Sequence, residues 1–368
     1  MEAAAIPAGE AMRKVLDRFL EVEGARRPRL ERFYAKAEPG YLIIQRTPAP
    51  LFGPCNTVAD IVANNLRALE PWVAAEGTDE IPFLEPWIGT GVYANIFGCP
   101  YVWRDDQAPC VHYRYHRIQE TVGLAPPDWR RAPVANMVLD TIDALREATG
   151  DVVPICATDT QSAFDTATLI LDASEFFVSC YEEPVLVERF MHLITESVID
   201  FTQAQFARIG RGRVARPGHI MPSFGGGPGL SVSDDNLAVS SPLINERVSF
   251  PSNKRLAEAF GGLAIHSCGC WQETMARLDG ASGVFMVDCA LTRSWDPNPN
   301  DPARVREALS GKNIILKARV GSDPDEIDSI LSAVADPNSR IIVEMGWQGD
   351  QAAAAYDRVR KRLDRVYG

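Results

Sequence analysis

The stretch GGLAIHSCGCWQE, from Gly261 to Glu273, ends an apolar run in His266, Ser267, Cys268, Gly269 and Cys270. In an extended strand, residues two apart share a face, so His266 and Cys268 converge on one point if the strand runs through Cys268. Imidazole and thiolate together suit Zn²⁺. The bland alternative is a satisfied core histidine beside an inert cysteine. Acids add to the candidate set. Asp159 and Asp165 in ATDTQSAFD follow an apolar run, Asp234 and Asp235 in VSDDN follow a glycine-rich loop, and Asp288 in VFMVDCAL is either a cavity acid or a helix N-cap. His219 in RPGHIMPS reads as a surface histidine, and His112 and His116 in VHYRYHRI as residues of an aromatic insertion. The chain lacks S-x-x-K, G-x-S-x-G and H-E-x-x-H, so elbow hydrolases and zincin-type proteases find no support. FGGGPG lacks the G-K-[ST] of a phosphate cradle and reads as a mobile lid.

These residues must be positioned by something, and the chain has a rhythm that can do it. Short apolar runs (GYLIIQRTP, DVVPICATD, GLAIHSC, GVFMVDCAL, NIILKARV, RIIVEMGW) alternate with helical stretches such as TVADIVANNLRALEPWVAAEG, DPARVREALSG and DEIDSILSAVAD. Continuous apolar runs followed by turns and helices describe parallel strands buried on both faces. About eight such units joined by right-handed crossovers predict a single (β/α)8 barrel spanning 1–368, with chemistry at the C-terminal ends of the strands. Residues 1–38 form an N-terminal helical extension that breaks at Pro28. Two long segments, IGTGVYANIFGCPYVWRDDQAPCVHYRYHRIQE and RPGHIMPSFGGGPGLSVSDDNLAVSSP, interrupt the rhythm and are expected to be loops at the active-site mouth.

Bulk properties set limits. With 368 residues, 46% hydrophobic and 23% charged, the composition is that of a globular enzyme. No segment approaches the roughly 18 apolar residues that a membrane helix needs, and the start MEAAAIPAGEAMRK lacks an export pattern, so a cytoplasmic, membrane-free location is expected. A formal charge of −12 disfavours nucleic acid as a partner. The eight cysteines are scattered through apolar segments, which suits a reducing compartment.

From about residue 150 onward the chain resembles the uroporphyrinogen decarboxylase superfamily. Four stretches carry the resemblance: SEFFVSCYEEPVLVERFMHLITESVIDF, SVSDDNLAVSSPLINERVSFPSNKRL, IHSCG and VFMVDCA. IHSCG is similar to the branch of corrinoid-dependent methyltransferases, in which this histidine and cysteine ligate zinc and a distal cysteine completes the set. The resemblance therefore implies a uroporphyrinogen-decarboxylase-like barrel with Zn²⁺ at His266 and Cys268, a small-molecule substrate, a corrinoid supplied by a partner protein, and a homodimer. Where the distal cysteine is expected, this chain has IIVEMGWQG. A carboxylate binds zinc better than a thioether, so Glu344 is preferred to Met345 as third ligand, with Cys289 and Cys270 as rivals.

The decarboxylase branch implies instead a cofactor-free lyase acting on a tetrapyrrole. Its early acidic residue corresponds to Asp79 in EGTDEIPFLEP, and its arginine-rich N-terminal signature is matched only by ARRPRLERFYAKAEPGYL, which lacks the M-R-Q-A-G-R-Y portion. Catalytic candidates on either reading are Asp79, Asp159 and Asp288. A third reading is a barrel that binds a small ligand without catalysis.

Overall fold

The computed structural model describes residues 9–35, 38–46, 49–104, 107–346 and 352–368. Six strands form one parallel sheet: β1 (Gly40–Gln45), β2 (Leu230–Ser233), β3 (Leu263–His266), β4 (Val284–Ala290), β5 (Ile315–Val320) and β6 (Arg340–Met345), in spatial order β1-β6-β5-β4-β3-β2. Main-chain bonds carry the sheet from its two edges toward each other. Asp79 N–H donates to Ile43 O at 2.8 Å, Leu84 N–H to Pro154 O at 2.9 Å, Cys156 N–H to Leu84 O at 2.9 Å, and Ser162 N–H to Ser233 O at 2.8 Å. Residues 79–84 and 154–162 thus take the places of the second and third strands of an eight-stranded arrangement. Pro82 and Pro154 each withhold a ladder N–H, which leaves these segments as isolated bridges rather than continuous strands.

Helices cover the outside, among them α1 (Glu10–Ala35), α2 (Val58–Ala74), α3 (Pro184–Ile209), α4 (Phe250–Phe260) and α5 (Ala352–Tyr367). Thr57 caps α2 through a reciprocal bond with Asp60, which satisfies two otherwise orphaned donors. Pro184 opens α3 at its first turn, where a missing N–H costs nothing. Contrary to expectation, α1 continues through Pro28. Tertiary bonds on both sides of the proline hold it: Arg26 donates to Glu80 O at 2.6 Å, Arg27 to Gly225 O at 3.0 Å, and Tyr34 to Pro222 O at 2.6 Å. The helix lies against the starts of the strands, where Arg340 at the head of β6 donates to Phe33 O at 3.2 Å.

The second long insertion departs furthest from its expected role. Its middle holds β2, a strand whose serines break the apolar run that would have revealed it. Its glycine-rich part is not a mobile lid at the mouth. Phe224–Gly225 pairs antiparallel with Ala215–Arg216 and is tied to α1. The glycines are there because backbones meet. A Cβ on Gly225 would stand 2.6 Å from Gly212 O, and one on Gly227 would stand 2.3 Å from Arg216 O.

Register then layers the interior. His266 pairs with Asp288, Asp288 with Lys317, and Glu344 with Arg319. By the two-residue alternation of strands these side chains share the inner face, while Ile265, Val287, Cys289, Ala318 and Met345 point to the helical layer, where all are buried.

Candidate active site

His266 is the last residue of β3, and its ring is held from the neighbouring strand: Nδ1 lies 2.5 Å from Asp288 Oδ2. A carboxylate at Nδ1 assigns the proton to that nitrogen and leaves the Nε2 lone pair free. Nε2 faces Cys268 Sγ at 3.5 Å and Asp235 Oδ1 at 3.8 Å. Donor atoms of Asp235, His266 and Cys268 all lie within 4.8 Å of one another. The strand stops at His266, so Cys268 reaches the point from a bend whose N–H donates to Asp235 Oδ1 at 2.6 Å. Cys268 stands at the exposed edge, yet burial of its thiol, followed by the Asp235 charge, pushes it up to about 12.

The third donor, Asp235, is set by a buried acid. Asp165 accepts from the N–H groups of Asp235 and Asn236 at 2.7 and 2.8 Å. Burial, and then the charges of Asp234 and Asp235, raise the Asp165 carboxyl well above its ordinary value. Asp234 turns away from the cluster and accepts from Ser249 at 2.7 Å and Asn253 at 2.8 Å. Burial pushes it up to about 6 against those bonds.

Beneath His266 lies a fully buried charge network. Lys317 Nζ donates to Asp288 Oδ1 at 2.7 Å and to Glu344, and Arg319 Nε lies 3.1 Å from Asp288 Oδ2. Burial opposes ionisation of Asp288, but Arg319, Lys317 and His266 outweigh it and hold the carboxyl well below the usual range. Burial also pulls Lys317 down, and the carboxylates of Asp288 and Glu344 more than restore it. Asp288 therefore orients the imidazole rather than capping a helix.

The other sequence candidates fall elsewhere. Glu344 is committed to Lys317, and Cys289 is wholly buried on the opposite face of β4 from Asp288. Asp79 binds Arg29 at 2.9 Å, Arg360 at 3.2 Å and Ile43 N–H at 2.8 Å, tying β1 to α1 and α5; it does not join the His266 cluster. Asp159 accepts from Gln161 and Ser233, both at 3.0 Å, and Ser233 is the register partner of His266. Asp159 thus faces the same interior one strand away. His219 is not a surface residue. Its Nδ1 lies 2.8 Å from Glu85 Oε1 and its Nε2 lies 3.7 Å from Asp159 Oδ1. Glu85 had no sequence signal beyond an acid placed between an apolar pair and a proline.

A family model described as uroporphyrinogen decarboxylase matches residues 89–210. A methyltransferase from Methanosarcina mazei superposes with a TM-score of 0.62 at 14% identity, covering 93% of this chain and 99% of that one. The family match is thus confined to residues 89–210, and beyond them the likeness to the methyltransferase is one of fold. Of the four stretches that carry the resemblance, only SEFFVSCYEEPVLVERFMHLITESVIDF falls within the family match; the fold alone extends the likeness to IHSCG and VFMVDCA. A Burkholderia cenocepacia structure described as a lyase/mutase matches at 13% identity over 94% of this chain and 90% of that one, with a TM-score of 0.31. No curated protein matches. Among the described residues, no helix is long and apolar enough to cross a membrane.

Proposed function

We propose that this barrel is a cytoplasmic methyltransferase that moves a methyl group between a corrinoid carried by a separate protein and a small thiol or related acceptor, assisted by Zn²⁺. The observation that carries the reading is the convergence of Asp235, His266 and Cys268 on one point within 4.8 Å. The donor set fits the ion. Zn–S near 2.3 Å and Zn–N near 2.0–2.1 Å at a tetrahedral angle require sulfur and nitrogen about 3.5 Å apart, which is the separation of Cys268 Sγ and His266 Nε2, 3.5 Å. Asp235 Oδ1, at 3.8 Å from Nε2, needs to move by about half an ångström to complete three protein ligands and leave a fourth position open. The ion would supply Lewis acidity that keeps a bound thiol deprotonated at neutral pH.

The chain's own residues do the rest. Asp288 holds the proton at His266 Nδ1 and so keeps Nε2 available, Lys317 and Arg319 keep Asp288 ionised, and Asp165 fixes the turn that carries Asp235. The chain lacks the corrinoid signature D-x-H-x-x-G, so a partner would deliver the methyl group. A homodimer, as the resemblance implies, is part of this proposal.

Decarboxylation of a tetrapyrrole is less well supported, for a specific reason. Three of the four arginines in the stretch nearest to that branch's propionate-binding signature are already engaged within the protein: Arg26 on Glu80 O and Ala75 O, Arg27 on Gly225 O, and Arg29 on Asp79. The test is zinc content by mass spectrometry with methyl transfer from methylcobalamin to 2-mercaptoethanol. About one zinc per chain and turnover, both lost in His266→Ala, support the proposal. A zinc-free protein that decarboxylates a porphyrinogen overturns it.

A further inference from the structure

We propose that Glu85, His219 and Asp159 form a recognition site for a small organic ammonium group in the barrel interior, one strand away from His266. None of the residues that carry the metal reading is used, so the two stand or fall separately.

The first observation is an unsatisfied acceptor. Glu85 is completely buried, its Oε2 makes no well-formed hydrogen bond among the described residues, and a backbone hydrogen bond from Asp159 is the smallest of the influences on its carboxyl. A buried carboxylate oxygen without a donor is costly, and such groups are ordinarily paired. The chain nevertheless clamps this one in place: Asn65 of α2 accepts from Glu85 N–H at 2.8 Å and donates to Glu85 O at 2.8 Å.

The second observation is charge. Glu85 Oε1 and Asp159 Oδ1 flank a single imidazole at 2.8 and 3.7 Å. Burial works against a charged His219, but Asp159 and Glu85 carry it up to about 9. Burial raises the Glu85 carboxyl and His219 opposes that rise; with Glu85 ionised, two carboxylates around one imidazolium leave one negative charge over. Lys317 does not cancel it, since it is taken by Asp288 and Glu344. A monocation with an N–H restores neutrality and satisfies Oε2 in one step.

The third observation is the wall. The Phe52 ring lies 5.9 Å from that of His219 and 5.2 Å from that of Trp87, and aromatic surface beside a carboxylate favours alkylammonium over the hydrated ammonium ion. His219 keeps 12% and Asp159 6% of their side-chain surface open while Glu85 keeps none, so a small group enters past His219 and Asp159 and must displace a neighbour to meet Oε2. His219 is also held at φ 49°, a conformation that a non-glycine residue rarely adopts and that clusters at ligand sites.

The experiment is calorimetric titration of the full chain with trimethylammonium chloride, with tert-butanol as the neutral shape match. The expected result is saturable binding of trimethylammonium, weakened at least tenfold in Glu85→Gln, with no saturable uptake of tert-butanol and unaltered binding in His266→Ala. If Glu85→Gln fails to fold, Asp159→Asn carries the same comparison. Equal binding of the alcohol, absence of trimethylammonium binding, or a folded variant that binds within twofold of the parent overturns the proposal and assigns the site to water. Zinc lost in His266→Ala while ammonium binding persists keeps the two readings distinguishable.

Discussion

Lys317→Met removes a cation that bridges two buried carboxylates, and its consequence can be worked out from the contacts. Lys317 is wholly buried and donates to both Asp288 and Glu344. Methionine is similar in length, so little cavity is left; what changes is charge. Asp288 keeps Arg319 at 3.1 Å and His266 at 2.5 Å, whereas Glu344 has no other ion pair among the described residues. Breaking a buried pair from one side costs about 3–5 kcal/mol. With an unfolding entropy near 2.1 cal/mol/K per residue, a chain of 368 residues loses about 4–6 °C of melting temperature. Differential scanning fluorimetry at pH 7 measures it. The double variant Lys317→Met/Glu344→Leu should recover at least half of the loss, since replacing both members of a buried pair by apolar groups is often near neutral. A single-variant shift under about 1 °C, or a double variant no better than the single, refutes the account of the network.

Three further predictions follow from particular contacts. Asp288→Asn removes the charge that orients His266 and should weaken zinc binding by about 10–100-fold, measured by chelator competition; unchanged affinity means that the Nδ1 bond is dispensable. Burial, opposed by the Trp72 bond, pushes Glu80 up to about 8. Its folded value thus lies above its unfolded one, so its contribution to stability is complete at acid pH and is lost as pH rises from about 4.5 toward about 8; Glu80→Gln should flatten that slope in chemical denaturation, and an unchanged slope rejects the assignment. Gly227→Ala forces a Cβ to 2.3 Å from Arg216 O, whereas Gly280→Ala meets nothing within 4 Å. The first should cost about 1–3 kcal/mol by thermal or urea unfolding and the second well under that, and equal costs would mean that the backbone around the Ala215–Arg216 and Phe224–Gly225 pairing is slack.

What the sequence alone determined was local. The rhythm of apolar runs and helices announced parallel strands covered on both sides, because a strand buried on two faces has no polar alternation and a helix must bury one stripe. The same logic marked His266 as a residue emerging from a buried strand with a thiol two positions on. Tertiary structure decided the rest. Asp235 becomes the third donor because β2 lies beside β3 in a register that sets Ser233 against His266 and because Asp165, seventy residues earlier, grips the turn. Glu344, chosen from the chemistry of carboxylates, is taken by a lysine on the neighbouring strand, and Cys289 is excluded by the parity of its neighbour Asp288. The glycine-rich stretch looked mobile because glycine is permissive in isolation, yet in the fold those glycines mark where backbones touch. Periodicity is written in the spacing of a few residues along one chain segment. Which acid meets which base across a barrel depends on register and crossover, and these are fixed only when distant segments pack.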